Sequence, residues 1–130
     1  MKAGEIMHKP VLATTPRASV RDIATQLVVN RISGMPVAER TGKVIGVITE
    51  ADILEALMEG KKLETLTAEE IMTADPVTID IDATMEEVMK LLADQGILRV
   101  PVTNRGKLAG IISRVDIIKA VLEPEFLTFE

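Results

Sequence analysis

Hydrophobic and polar positions along this chain switch between a helical and an extended period, and the whole succession of switches occurs twice. Val20, Ile23, Ala24, Leu27 and Val28 follow i, i+3, i+4, i+7 spacing and predict an amphipathic helix with that face buried. Met85, Val88, Met89 and Leu92 predict a second one, and at this spacing the methionines serve packing rather than a thioether ligand pair. Ser19 and Thr84 stand where an N-cap belongs, with Asp22 and Glu87 three residues on, so a capping box is expected in each. Short extended runs are predicted at Val11–Ala13 and Val77–Ile79. Pro36-Val37 and Pro101-Val102 open further strands, at the one strand position where proline costs no ladder bond. The turns Arg40-Thr41-Gly42-Lys43 and Asn104-Arg105-Gly106-Lys107 then lead into the apolar strands Val44–Ile48 and Leu108–Ile112.

The two passes match motif for motif. Ile6-Met7 returns as Ile71-Met72, Pro10-Val11 as Pro76-Val77, and Gly42-Lys43 as Gly106-Lys107, at an offset of about 65 residues. The chain is therefore an α+β protein of two pseudo-symmetric β-α-β-β-α repeats, one over residues 1–60 and the other over 71–123. Residues 61–70 form a polar linker, in which Thr67 and Glu70 make another capping box and open a short helix. Residues 124–130 are a tail whose Phe126 and Phe129 are expected to dock it onto its own module or a dimer mate. The helices carrying Ile53, Leu54, Leu57 and Ile117, Ile118, Val121, Leu122 are apolar over more than one face. A deep core between repeats and a face for a second subunit both fit, and the two are compatible.

Composition narrows the function classes. Of 130 residues 47% are hydrophobic but only 2% aromatic, so the core is aliphatic. A net charge of −5 without a basic block argues against nucleic-acid binding by phosphate neutralisation. The lack of cysteine removes disulfides, thiolate catalysis and thiolate metal sites together. No apolar run reaches membrane-spanning length, and no signal-type leader is visible, so a soluble cytoplasmic protein without a membrane partner is expected. His8 has no evident partner and reads as an inert surface histidine. The carboxylates lie at caps and solvated faces, and no ligands cluster for a metal. No catalytic residue, metal or required cofactor is predicted.

One motif remains. Gly46-Val47-Ile48-Thr49-Glu50-Ala51-Asp52 and Gly110-Ile111-Ile112-Ser113-Arg114-Val115-Asp116 each join a buried strand to a helix N-terminus. Backbone N–H groups collect at such junctions and can hold small polar ligands. Thr49-x-x-Asp52 and Ser113-x-x-Asp116 taken singly are ordinary capping boxes, and repetition alone does not overturn that.

The ordered set of Ile-Met, Pro-Val, capped helix, x-x-Pro-Val, hairpin glycine and Gly-h-h-Ser/Thr-x-x-Asp (h, apolar) resembles a CBS domain. Its double occurrence across nearly all of residues 5–122 resembles a tandem CBS pair, or Bateman module. The resemblance implies two clefts that bind adenosine compounds, with the residue matching Asp52 or Asp116 accepting from the ribose diol. Thr49 or Ser113 then lies near ribose or phosphate, and Ile32 and Ile97 line the base pocket. Lys9-Pro10-Val11 or Asp75-Pro76-Val77, from the opposite repeat, closes each cleft. A carboxylate accepts both diol donors, and a helix N-terminus with a hydroxyl suits phosphate.

Charge separates the two clefts. Ser113 and Asp116 have Arg114, Arg99 and, by the family geometry, Lys9 for neighbours, whereas Thr49 and Asp52 have Glu50, Gly34 and Asp75. The expectation is a preferred adenine-nucleotide cleft of Ser113, Asp116, Arg99, Ile97, Ile111, Arg114, Lys9, Pro10, Val11 and Ile32. The second cleft (Thr49, Asp52, Gly34, Val47, Pro76, Val77) would be weaker, empty, or suited to S-adenosylmethionine. Arg99 could instead pair at the surface with Asp94 or Glu64. The functional expectation is a regulatory, energy-sensing module binding AMP, ADP or ATP. It would signal in trans through a homodimer or an unknown effector protein. The alternatives are an interaction module with vestigial clefts and, as a third reading, a small nucleotide-acting enzyme.

Overall fold

The computed structural model describes residues 1–122, so the expectation for the tail at Phe126 and Phe129 lies outside the described residues. The elements run α1 (Ala3–Ile6), α2 (Val20–Asn30), β1 (Gly34–Ala38), β2 (Val44–Thr49), α3 (Glu50–Met58), α4 (Ala68–Ile71), β3 (Thr73–Ala74), β4 (Ile79–Asp80), α5 (Met85–Gln95), β5 (Arg99–Asn104), β6 (Lys107–Ser113) and α6 (Arg114–Leu122), with a 3₁₀ turn at Leu63–Thr65. The class is α+β, as the patterning predicts. Two compact units result among the described residues, a central one over Leu12–Pro76 and a split one that joins Met1–Val11 to residues 77–122.

This division cuts across the sequence repeats. Ala3 and Ile6 of α1 are buried with Val88, Leu92, Val100, Val102, Ile112 and Ile117 of the second repeat. Ala68 of α4 is buried with Val20, Ile23, Leu27, Met35, Val37, Ile48 and Ile53 of the first. Hydrogen bonds fix both docked segments alike. Ala3 and Gly4 donate to the carbonyls of Ala83 and Ile81 at 2.7 and 2.9 Å, and Ala68 and Glu69 donate to those of Ala18 and Pro16 at 2.9 Å each. Each short helix thus satisfies its free N-terminal donors on the loop before the long helix of its unit. The stretch expected as a linker therefore contributes to a core, and Thr67 and Glu70 form their cap there. The N–H and hydroxyl of Thr67 both donate to Glu70 Oε1 at 2.9 Å, and these bonds hold the Glu70 carboxyl below the ordinary carboxylate range.

Each sheet has one strand order, although one strand of each is reduced to a single bridge. In the central unit β1–β2–β3 is antiparallel throughout, and Thr14 adds a parallel bridge to Val37. In the split unit β4 runs parallel to β5, β5 pairs antiparallel with β6, and His8 adds an antiparallel bridge to Ile111. The extended runs expected at Val11–Ala13 and Val77–Ile79 pair later, at Thr14 and at Ile79–Asp80. Backbone donors set that register, and the side-chain pattern does not report it.

Gly46 and Gly110 have a packing reason. A Cβ on Gly46 would fall within the side chain of Met72, and one on Gly110 within that of Met7. The repeated Ile-Met pair thus seats its methionine over the strand glycine of its unit.

The helix stripes are narrower than their periodicity suggests. Val20, Ile23 and Leu27 are buried, whereas Val28 is 78% exposed and Met89 is also exposed. The sheet covers only the centre of each stripe, which leaves its flanks in solvent. Ser19 takes the N-cap of α2 but makes no side-chain cap bond, so the box expected with Asp22 does not form. In α5 the Thr84 hydroxyl accepts from the Glu87 N–H at 3.1 Å, as expected.

Candidate functional site

Strand register brings the sequence motifs together within each unit. Arg99 lies opposite Ser113 and Pro101 opposite Ile111 in the β5–β6 pair. Gly34 lies opposite Thr49 and Pro36 opposite Val47 in the β1–β2 pair. The half-buried residue just before each first strand of these pairs, Ile97 or Ile32, follows a left-handed helix cap at Gly96 or Arg31. Its N–H donates back to Leu92 or Leu27 at 3.1 Å. The cap turns the chain out of the helix and toward the junction.

The junctions share one cap geometry. At Asp116, the Oδ2 atom accepts from the Ser113 N–H at 2.8 Å and from the Ser113 hydroxyl at 3.0 Å, while the Asp116 N–H donates to Ser113 Oγ at 3.2 Å. At Asp52, Oδ2 accepts from the Thr49 N–H at 2.8 Å and from the Thr49 hydroxyl at 3.1 Å, while the Asp52 N–H donates to Thr49 Oγ1 at 3.4 Å. Both aspartates are half-buried. One oxygen of each is consumed by the cap, so the chemistry of each junction rests on Oδ1.

There the two differ. Asp52 Oδ1 accepts from the Thr73 hydroxyl at 3.4 Å. Asp116 Oδ1 accepts from no donor among the described residues. An ionised carboxylate oxygen in that state can still accept hydrogen bonds from a ligand.

The expected neighbours fall into place unevenly. Lys9, Pro10 and Val11 belong to the split unit with Ser113 and Asp116, whereas Ile32 belongs to the central unit with Thr49, Asp52, Gly34, Val47 and Pro76. Val77 falls in the split unit. Arg114 is exposed and its Nε donates to the Ile97 carbonyl at 3.3 Å, so this cation braces the β5 approach. Asp94 lies 3.8 Å from Lys90.

A cavity of about 400 Å³ in the split unit is lined by Met1, Glu5, Ile6, Met7, His8, Asp116, Lys119 and Ala120. His8, which reads from sequence as an inert surface histidine, and Lys119, which no motif singles out, both stand there beside Asp116. The signal for His8 was available: its place one residue after the repeated Ile-Met pair sets it beside Ile111, the second residue of the junction motif. Lys119 is three residues after Asp116 and shares its helical face. Among the described residues no group of three or more acidic, histidine or cysteine side chains could hold a metal ion. No helix there is long and apolar enough to cross a membrane.

Comparison with known proteins agrees with this geometry. The CBS domain family matches twice, over residues 3–59 and 68–123. An uncharacterised protein of Methanopyrus kandleri, MK0525, is 28% identical over all of this chain and 70% of its own length. Of several larger curated relatives the chain spans only between 15% and 41%. The CBS domain pair of protein MJ0100, solved with 5′-methylthioadenosine and S-adenosyl-L-methionine, superposes with a TM-score of 0.81 at 30% identity, covering 93% of this chain and 99% of that one. The CBS domain protein PAE2072 of Pyrobaculum aerophilum, solved with AMP, gives 0.81 at 25% identity over 89% of each chain.

Proposed function

We propose that this chain, which belongs to the CBS domain family, is a regulatory module that binds an adenosyl ligand at the Ser113–Asp116 junction, with AMP the favoured ligand. The observation that carries the reading is the state of Asp116. Its cap uses Oδ2 alone, and Oδ1 has no donor among the described residues. A ribose diol supplies two donors to such a group, and hydrogen bonds to a charged acceptor are the stronger kind. The dipole at the N-terminus of α6 favours a phosphate there, although the Arg114 and Asp116 N–H groups already donate to the Leu98 carbonyl and to Ser113 Oγ. His8 and Lys119, which line the cavity with Asp116, add positive or protonatable groups beside the aspartate and Glu5. That PAE2072 was solved with AMP supports the choice of nucleotide.

A second reading takes S-adenosylmethionine or a related thioether as the ligand. It is favoured by the MJ0100 pair, which is 30% identical and was solved with two such compounds. Output in trans is proposed through the exposed apolar residues of α3 (Leu54, Leu57, Met58) in the central unit and of α6 (Val115, Ile118, Val121) in the split unit, each helix by itself offering an apolar face to a second copy or an effector.

Thermal unfolding with AMP, adenosine and S-adenosylmethionine in parallel tests the reading. A ligand at a hundred times its Kd stabilises the native state by about 2.7 kcal/mol. AMP is expected to raise Tm at the lowest concentration of the three. A larger response to S-adenosylmethionine would favour the second reading, and no response to any of them would leave an interaction module.

A further inference from the structure

We infer that Thr73 determines ligand selectivity between the two junctions, because its hydroxyl occupies the oxygen through which Asp52 would hold a ribose diol. The inference rests on the adenosyl-binding reading of the junctions and adds to it a residue that decides which one responds.

The register places Thr73 and His8 at one structural position. Thr73 pairs with Val47, and His8 pairs with Ile111. Val47 and Ile111 each stand two residues before the hydroxyl of their motif. The segment after each Ile-Met pair therefore brings one side chain to the edge of each junction. In the central unit that side chain is a hydroxyl, and it donates to Asp52 Oδ1 at 3.4 Å. In the split unit it is His8, which shares a cavity with Asp116 and makes no hydrogen bond to it among the described residues.

A ligand entering the Asp52 junction must displace Thr73 before its own donor can reach Oδ1. At Asp116 the same donor meets an acceptor that no described residue occupies. The separation of 3.4 Å is long beside the 2.5–2.7 Å usual for a hydroxyl on a carboxylate, so the internal bond is weak and can be displaced. Selectivity of a few-fold follows, rather than closure of the site.

The test exchanges hydroxyl for methyl at nearly constant shape. AMP binding is measured by calorimetry in Asp116→Asn and in Asp116→Asn/Thr73→Val, which share a weakened Asp116 junction, so that any difference between them is read at Asp52. The double variant is expected to bind about two- to fivefold more tightly, the low end of what one hydrogen bond is worth. Unchanged or weaker binding overturns the inference, since it would make Thr73 a bystander or a ligand contact. A silent double variant beside a native chain that binds counts against it equally. The reverse exchange is made at the other junction, comparing His8→Thr with His8→Val. The Thr variant is expected to bind AMP about two- to fivefold more weakly than the Val variant, and equal or tighter binding overturns the inference. If the native chain itself binds no AMP, the choice of AMP as ligand falls and the inference, which is read through AMP, falls with it. If the native chain binds and only the exchanges fail, the inference alone is lost.

Discussion

The Thr49–Asp52 and Ser113–Asp116 junctions are built alike and differ in what surrounds them. The bond from the hydroxyl residue's N–H to the aspartate measures 2.8 Å in both, and both aspartates are half-buried. That bond belongs to helix capping and serves any strand-to-helix turn of this kind. The second carboxylate oxygen is where the copies part: Thr73 is on it in one unit, and the described residues leave it open in the other. A duplicated fold thus keeps the interactions that hold it and diverges at the single acceptor those interactions leave over.

The comparison breaks most easily at the cores beneath the junctions. Ile48 and Ile112 are fully buried at matching positions. Ile48→Ala and Ile112→Ala should each cost about 2–5 kcal/mol. If the units are equivalent in packing, the two costs agree within about 1 kcal/mol, which urea unfolding can read. A larger gap would show that the likeness stops at the backbone. A smaller contrast lies at the long helices. Thr84 makes its side-chain cap bond and Ser19 makes none, so Thr84→Ala should cost about 1 kcal/mol and Ser19→Ala a few tenths. Equal melting shifts would contradict that difference.

Much of this architecture is legible in the residues themselves. The α2 and α5 stripes, the hairpin glycines and the doubled motif give the elements and their order, because local periodicity and turn chemistry act within a few residues. The exchange of α1 and α4 is not legible. Ala3, Ile6 and Ala68 are apolar in either setting, and nothing local says which repeat will bury them. Val28 was expected inside because it continues the α2 spacing, yet the sheet covers only the middle of that stripe. At the junctions, the hydroxyl–aspartate pairs could be named from sequence. The partners at their edges could not, because Thr73 and His8 reach them through strand register, two residues before Asp75 and Pro10 in the chain. Arg114 is expected beside the ligand on charge alone, and its Nε donates to the carbonyl of Ile97, another residue of the expected cleft, a bond that charge does not report.

The central claim is that Asp116, ahead of Asp52, is the preferred ribose acceptor. Calorimetric titration of AMP into Asp116→Asn and Asp52→Asn addresses it directly, since asparagine keeps an oxygen for the cap and removes the charge. The account predicts that Asp116→Asn loses at least about tenfold in affinity, in keeping with the 1.5–3 kcal/mol of a hydrogen bond to a charged group, and that Asp52→Asn changes it by less than about threefold. Equal losses in the two variants, or a greater loss in Asp52→Asn, would contradict it.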